Sequence, residues 1–210
     1  MQRYYPMMMD LRGRSCVVIG GGEVAARKVE MLMNCGAAVK VVAPELERSL
    51  ERLVSAGRLT HIEAPYQKSH LKGSSLAIAS TDNKEVNRAV YDDAMEIGIP
   101  VNVVDVPELC SFIVPSMVVR GDLIVAISTS GKSPAMAKRI RKDLQQYFGE
   151  EYAVMLELMG EARRILMERE PDINRRTQVL TGIANSDLLE RIKSGENPDP
   201  QEIVEGALSK

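Results

Sequence analysis

Ser15-Cys16-Val17-Val18-Ile19-Gly20-Gly21-Gly22-Glu23-Val24-Ala25 is the stretch on which the fold turns. Its first five residues form a short apolar run of the kind that fills a buried parallel strand. The run ends in three glycines. Beyond them Val24, Lys28 and Met31 recur at spacings of four and three, which predicts a helix over 23–35 that closes at Gly36. Gly20, Gly22 and Ala25 together fit G-x-G-x-x-A between a strand and a helix. Gly20 permits the tight turn, Gly22 lets the backbone approach a pyrophosphate, and Ala25 is small enough for close helix–sheet packing. The helix start then offers unpaired N–H groups and a positive partial charge to phosphates. Gly20, Gly21 and Gly22 are therefore candidate cofactor-binding residues.

The rhythm set by this unit continues outward. Val39–Ala43, Leu59–Glu63, Leu76–Ser80 and Pro100–Val104 read as further strands, with helices over 45–56 and 83–97. Strands alternating with helices of this length imply a parallel sheet covered on both faces. After residue 110 the pattern changes. Phe112–Val119 and Leu123–Ser128 are two β-rich runs separated by a hairpin turn at Arg120-Gly121-Asp122. Ser133 and Pro134 are placed to cap and open a helix that runs to about Phe148. From Glu150 onward the chain reads as helical, with Val154, Leu158 and Ile165 on one face and Asp172 and Ser186 as caps. The fold class is α/β: a Rossmann-type parallel sheet over 1–112, a small mixed α+β segment over 113–148, and a helical C-terminal domain over 149–210.

Composition narrows the function. The chain has 210 residues, 45% of them hydrophobic and 27% charged, which describes a globular protein rather than a disordered or membrane-spanning one. With 27 basic and 29 acidic side chains, its formal charge of −2 argues against a nucleic-acid partner. Cys16, Cys35 and Cys110 form no C-x-x-C pair, and His61 and His70 are the only histidines. Neither a disulfide framework nor a resident metal is expected, and the cytoplasm is the expected compartment.

Four features beyond the glycine turn draw attention. The tip of the second strand, where an acid usually grips the adenosine ribose, reads Ala43-Pro44-Glu45. Either the Glu45 carboxylate reaches the ribose or backbone groups of Pro44 and Glu45 do the work, and NAD is favoured over NADP. Thr81-Asp82 follows the fourth strand and either borders the cofactor or, through Asp82, caps the next helix. Asp105 ends the fifth strand at the ligand edge of the sheet. It is either a general base, its pKa raised by partial burial, or a cap for the turn that Pro107 opens. Between residues 120 and 142, six basic side chains face Asp122 alone, beside a loop of hydroxyls from Ser128 to Ser133. That mixture suits a polyanionic ligand or a solvated helix face.

The runs VVIGGGEVAARKVEML, VKVVAPEL, LAIASTDN and NVVDVPELCSFIVPSMVVRGDLIVAISTSGKSPAMAKRIRKDL resemble the precorrin-2 dehydrogenase family, the amino-terminal part of siroheme synthases. The resemblance covers roughly residues 4–148. It implies NAD-dependent oxidation of precorrin-2 to sirohydrochlorin, on the route to siroheme or cobalamin. Some members also insert Fe²⁺ or Co²⁺, so a transient metal substrate is implied as well. The resemblance gives Asp105 a catalytic role and places NAD at the glycine turn, including Glu23 and Val24, and at Pro44 and Glu45. It sets the loop of Ser128, Thr129 and Ser130 at the tetrapyrrole, whose eight carboxylates give Lys132 and Arg139 a physical rationale. It further implies a homodimer formed through 113–148, the dimerisation and substrate segment, with shared active sites. The competing reading is a non-enzymatic NAD-sensing Rossmann regulatory module, which has no use for the seryl loop and the basic helix.

Overall fold

In the computed structural model, which describes residues 4–209, the apolar runs of the first half pair into one parallel sheet. Its strands are β1 (Ser15–Ile19), β2 (Ala38–Val42), β3 (Thr60–Ile62), β4 (Leu76–Ala79) and β5 (Val101–Val103), in the order β3-β2-β1-β4-β5. Between them lie α1 (Glu23–Asn34), α2 (Arg48–Ser55) and α3 (Lys84–Ile97), and a 3₁₀ turn at Lys68–Leu71. Period-two alternation divides the strand residues between two layers. Cys16, Val18, Val41 and Ile78 join Ala25, Val29 and Leu50 in one buried cluster. Val17, Ile19, Val42, Ala77 and Ala79 join Val90, Ala94 and Leu71 in the other. Val17, Val18 and Ile78 are completely buried, and each such side chain contributes about 2 kcal/mol relative to its exposed state. The Rossmann-type parallel sheet expected of the first half is present.

Two boundaries differ from expectation by three residues or more. The helix expected from Glu45 starts at Arg48, because Glu45 and Glu47 are engaged with the glycine turn: the Glu47 N–H donates to the Gly21 carbonyl at 2.8 Å, and the Glu45 carbonyl lies against Gly21. The strand expected from Phe112 starts at Ser116. Phe112 instead packs against the core of the parallel sheet, and its carbonyl accepts a hydrogen bond from Asn102.

The chain divides into two compact units, Met1–Val114 and Pro115–Lys210. In the second, β6 (Ser116–Arg120) and β7 (Leu123–Ile127) form an antiparallel ribbon. Arg120 pairs with Leu123 inside the ladder, so the turn is Gly121-Asp122 alone and not the three residues expected. Gly121 has φ +53°, and an added Cβ would meet the Ala153 side chain at 3.1 Å. The helices are α4 (Pro134–Tyr147), α5 (Glu151–Arg169), α6 (Ile173–Ala184), α7 (Leu188–Lys193) and α8 (Pro200–Leu208). Ser133 caps α4 through its hydroxyl, which accepts from the Met136 N–H at 3.1 Å, with Pro134 first in the helix, as expected. Asp172 caps α6 in the same way. Ser186 falls one residue outside the α7 cap position, which Asp187 occupies, yet its hydroxyl accepts from the Leu188 N–H. Met155, Leu158, Ala162, Ile165 and Leu166 of α5 face Val179, Ile183, Leu188 and Val204 in a separate core, against which Val154 is only partly buried.

Candidate functional site

The chain runs from β1 outward to β3 and then crosses back to β4, so the strand order reverses between β1 and β4. Ligands of open α/β sheets bind at the carboxyl ends of the strands at this reversal. Ile19 and Ala79 are paired there, and the next residues, Gly20 and Ser80, are neighbours. The Ser80 N–H donates to the Ile19 carbonyl at 2.8 Å.

Each glycine of the turn meets a different constraint. Gly20 has φ +118°, and a Cβ there would lie 2.6 Å from the Ser80 carbonyl oxygen. Gly21 is pressed against the segment after β2, where a Cβ would overlap the Glu45 carbonyl and lie 2.9 Å from the Ala43 side chain. Around a Cβ on Gly22 there is nothing within 4 Å. Gly22 occupies the cap position of α1, with no side chain bonded to the helix N–H groups. The first intrahelical bond of the cap runs from the Ala26 N–H to the Gly22 carbonyl. The N–H groups before it, including those of Glu23 and Val24, have no acceptor within the helix. Open space over Gly22 facing unpaired donors and the positive end of α1 suits a pyrophosphate. Pro44 and Glu45 are exposed beside this turn. His61 reaches across from β3, its Nε2 2.9 Å from the Ala43 carbonyl.

The loop after β4 is organised by residues that the sequence reading did not single out. The cap of α3 is Asn83, whose side chain accepts from Glu85 and Val86, while Asp82 is exposed and caps nothing. Thr81 is fixed by buried Asn87: the Thr81 hydroxyl donates to Oδ1 at 2.8 Å, and Nδ2 donates to the Thr81 carbonyl at 2.8 Å. In S-T-D-N either Asp82 or Asn83 qualifies as a helix cap, and only the helix start separates them.

Asp105 is exposed rather than partly buried. Nor does it cap the next turn, a 3₁₀ turn at Pro107–Leu109 that follows Val106 without a side-chain cap. Its backbone has φ +61°, and Ser130, at +52°, is the only other described non-glycine residue in that left-handed region. Such conformations cluster at functional sites. Among the cysteines, burial pushes the Cys16 thiol up from its ordinary range, which makes it unreactive.

In the second unit, Ser128–Ser133 forms a tight loop before α4. The Ser130 N–H donates to the Ser128 hydroxyl at 3.0 Å, and the Ser133 N–H donates to the Thr129 hydroxyl at 3.2 Å. Ser128 and Thr129 therefore shape the loop, whereas the Ser130 side chain is exposed at its turn. Lys132, Lys138, Arg139 and Lys142 are exposed and have no carboxylate partner among the described residues. Arg120 departs from this group: it is held by Glu150 at 3.2 Å and donates to the Val119 and Gln145 carbonyls.

Residues 7–116, just over half of the chain, match the family model described as "Putative NAD(P)-binding". Residues 120–147 match the one described as "Sirohaem biosynthesis protein central". The chain belongs to the family described as putative NAD(P)-binding. Among curated relatives, a siroheme synthase of Methylobacillus flagellatus is 38% identical over 97% of this chain and 44% of its own length. That of Photobacterium profundum is 37% identical over 96% of this chain and 43% of its own. The chain thus spans less than half the length of these relatives. A solved structure, SirC, a precorrin-2 dehydrogenase, is 26% identical and covers 99% of this chain and 100% of its own, with a TM-score of 0.81.

Proposed function

We propose that this chain oxidises precorrin-2 to sirohydrochlorin with NAD⁺. The observation that carries the reading is the end-to-end likeness to SirC, a precorrin-2 dehydrogenase. The open, donor-lined glycine turn at the strand-order reversal supports the cofactor. The dinucleotide, when bound, supplies the hydride acceptor. The substrate loses one hydrogen as hydride and one as a proton, and the chain's own residues handle binding and the proton.

In this reading Gly20, Gly21 and Gly22 shape the pyrophosphate site, and the N–H groups of Glu23 and Val24 bind the anion. Pro44 and Glu45 bound the adenosine ribose, and the Thr81-Asp82 loop borders the cofactor. The exposed Asp105 carboxylate accepts the proton. Ser130, Lys132 and Arg139 engage substrate carboxylates, with Ser128 and Thr129 holding the loop in shape. The outer face of the ribbon, with Val119 49% and Ile124 46% exposed, supports a homodimer assembled through this segment.

The test is anaerobic incubation with precorrin-2 and NAD⁺, following NADH formation and the sirohydrochlorin spectrum. Turnover with both products in equal amounts is expected; no NADH would overturn the reading. Asp105→Asn is expected to lower turnover at least tenfold, on the scale of a lost general base, while leaving the NAD dissociation constant unchanged. Repeating the incubation with Fe²⁺ or Co²⁺ reads metal insertion separately.

A further inference from the structure

After β5 the chain does not run into a helix. It folds back on the strand it has just left. Asn102 pairs with Cys110 in an isolated antiparallel bridge, and the Ser111 N–H donates to the Val101 carbonyl at 2.9 Å. The Ser111 hydroxyl accepts from the Val101 N–H at 2.8 Å. Asp105 is carried within this closed loop.

Two side chains tie the loop from inside. Asn102 is buried, and its Nδ2 donates to the Phe112 carbonyl at 3.0 Å and approaches the Cys110 sulfur at 3.5 Å. The Cys110 thiol lies 3.2 Å from the Val103 carbonyl and 3.3 Å from the Val106 carbonyl. Those two carbonyls flank Asp105. A thiol that served only to fill space would face apolar neighbours, whereas this one closes a turn of backbone. The Val106 N–H donates to the Val103 carbonyl at 3.2 Å, tightening the same turn.

We propose that Asn102 and Cys110 are positioning residues that fix the Asp105 carboxylate for proton transfer. The inference rests on Asp105 being the proton acceptor. A left-handed aspartate persists only where surrounding structure determines it, and the Asp105 side chain has no hydrogen-bond partner of its own among the described residues. Because the backbone is held, both carboxylate oxygens stay available to substrate. The arrangement aims the base without occupying it.

Misplacing a reacting group by about 1 Å costs on the order of 100-fold in rate, so a loosened loop is expected to lower kcat by about tenfold or more. Cys110→Ala and Asn102→Leu are expected to lower kcat, with KM for precorrin-2 and the NAD dissociation constant within about twofold of the parent. Cys110→Ser, which retains a donor, is expected to recover most of the loss. Cys110→Val removes the donor without leaving a cavity and is read in the same way, so a folding defect in Cys110→Ala does not blunt the test. In an Asp105→Asn background, Cys110→Ala is expected to cost nothing further, because residues acting as one unit are not additive. Equal losses in both backgrounds, or a parallel rise in KM and the NAD dissociation constant, would overturn the clamp. Parental kcat in Cys110→Ala and Asn102→Leu, with Asp105→Asn impaired, would overturn the clamp alone. Parental turnover in Asp105→Asn would overturn the underlying assignment and the clamp with it.

Discussion

A methyl group on Gly21 would overlap the Glu45 carbonyl and crowd the Ala43 side chain, whereas one on Gly22 would meet nothing within 4 Å. Adjacent glycines thus serve different ends. Gly21 lets the segment after β2 close onto the turn, and Gly22 leaves the space in which a phosphate can approach the helix. Gly21→Ala is expected to destabilise the protein by about 2 kcal/mol or more, since the obstructing atoms are backbone and cannot rotate away. Chemical denaturation measures this. Gly22→Ala is expected to fold with a loss of at most about 1 kcal/mol, the cost of alanine at a helix cap. Its NAD dissociation constant, read by titration calorimetry, is expected to rise at least tenfold, because the methyl occupies the approach to the donors. Similar NAD affinity in Gly22→Ala and the parent would remove Gly22 from the phosphate site.

At the scale of elements, α3 and α4 show what local signals carry. Asn83 accepts from two N–H groups at the start of α3. Asn83→Ala is expected to cost about 1 kcal/mol, seen as a lower midpoint in denaturant. On α4, Ala137 is buried while Lys138, Arg139 and Lys142 face solvent. Arg139→Glu is expected to raise KM for precorrin-2 severalfold, through lost attraction to its carboxylates, with NAD affinity unchanged. An unchanged KM would return the outward face of α4 to plain solvation. Elements of this kind were legible because their signals are local: a period, a glycine, a cap. What was not legible depended on contacts between distant residues. Phe112–Pro115 has strand composition, but its apolar character anchors Phe112 in the sheet core. Glu45–Glu47 looks like a helix start until its backbone is seen bonded to Gly21. Asn102 and Cys110 stand in the run that carries the resemblance, but nothing in its spacing says that they meet, and only the fold-back after β5 brings them together. The glycine turn was readable as a nucleotide site for the opposite reason, since all its parts lie within six residues.

At the scale of the whole molecule, the small net charge is an average over unlike regions, and the basic stretch around α4 is offset elsewhere. The two units also differ in how they bury apolar surface. The parallel sheet is covered on both faces, whereas the β6–β7 ribbon packs α4 and α5 on one face and leaves Val119 and Ile124, which are paired across the strands, exposed on the other. In Ile124→Glu the proposed dimer is therefore expected to give way to monomer in light scattering at micromolar concentration, without loss of helix content by circular dichroism. A variant still fully dimeric would move the proposed contact off this face.

The outermost strands of the parallel sheet, β3 and β5, have three residues each, whereas β6 and β7 have five. Short outer strands offer few unpaired backbone groups to a neighbouring chain, and long ones offer a template. The nucleotide-binding half is therefore guarded against edge-to-edge aggregation by the brevity of β3 and, at β5, by the fold-back that already occupies the backbone groups of Val101. In a crowded or refolding solution, the ribbon is where one chain can add its backbone ladder to another's.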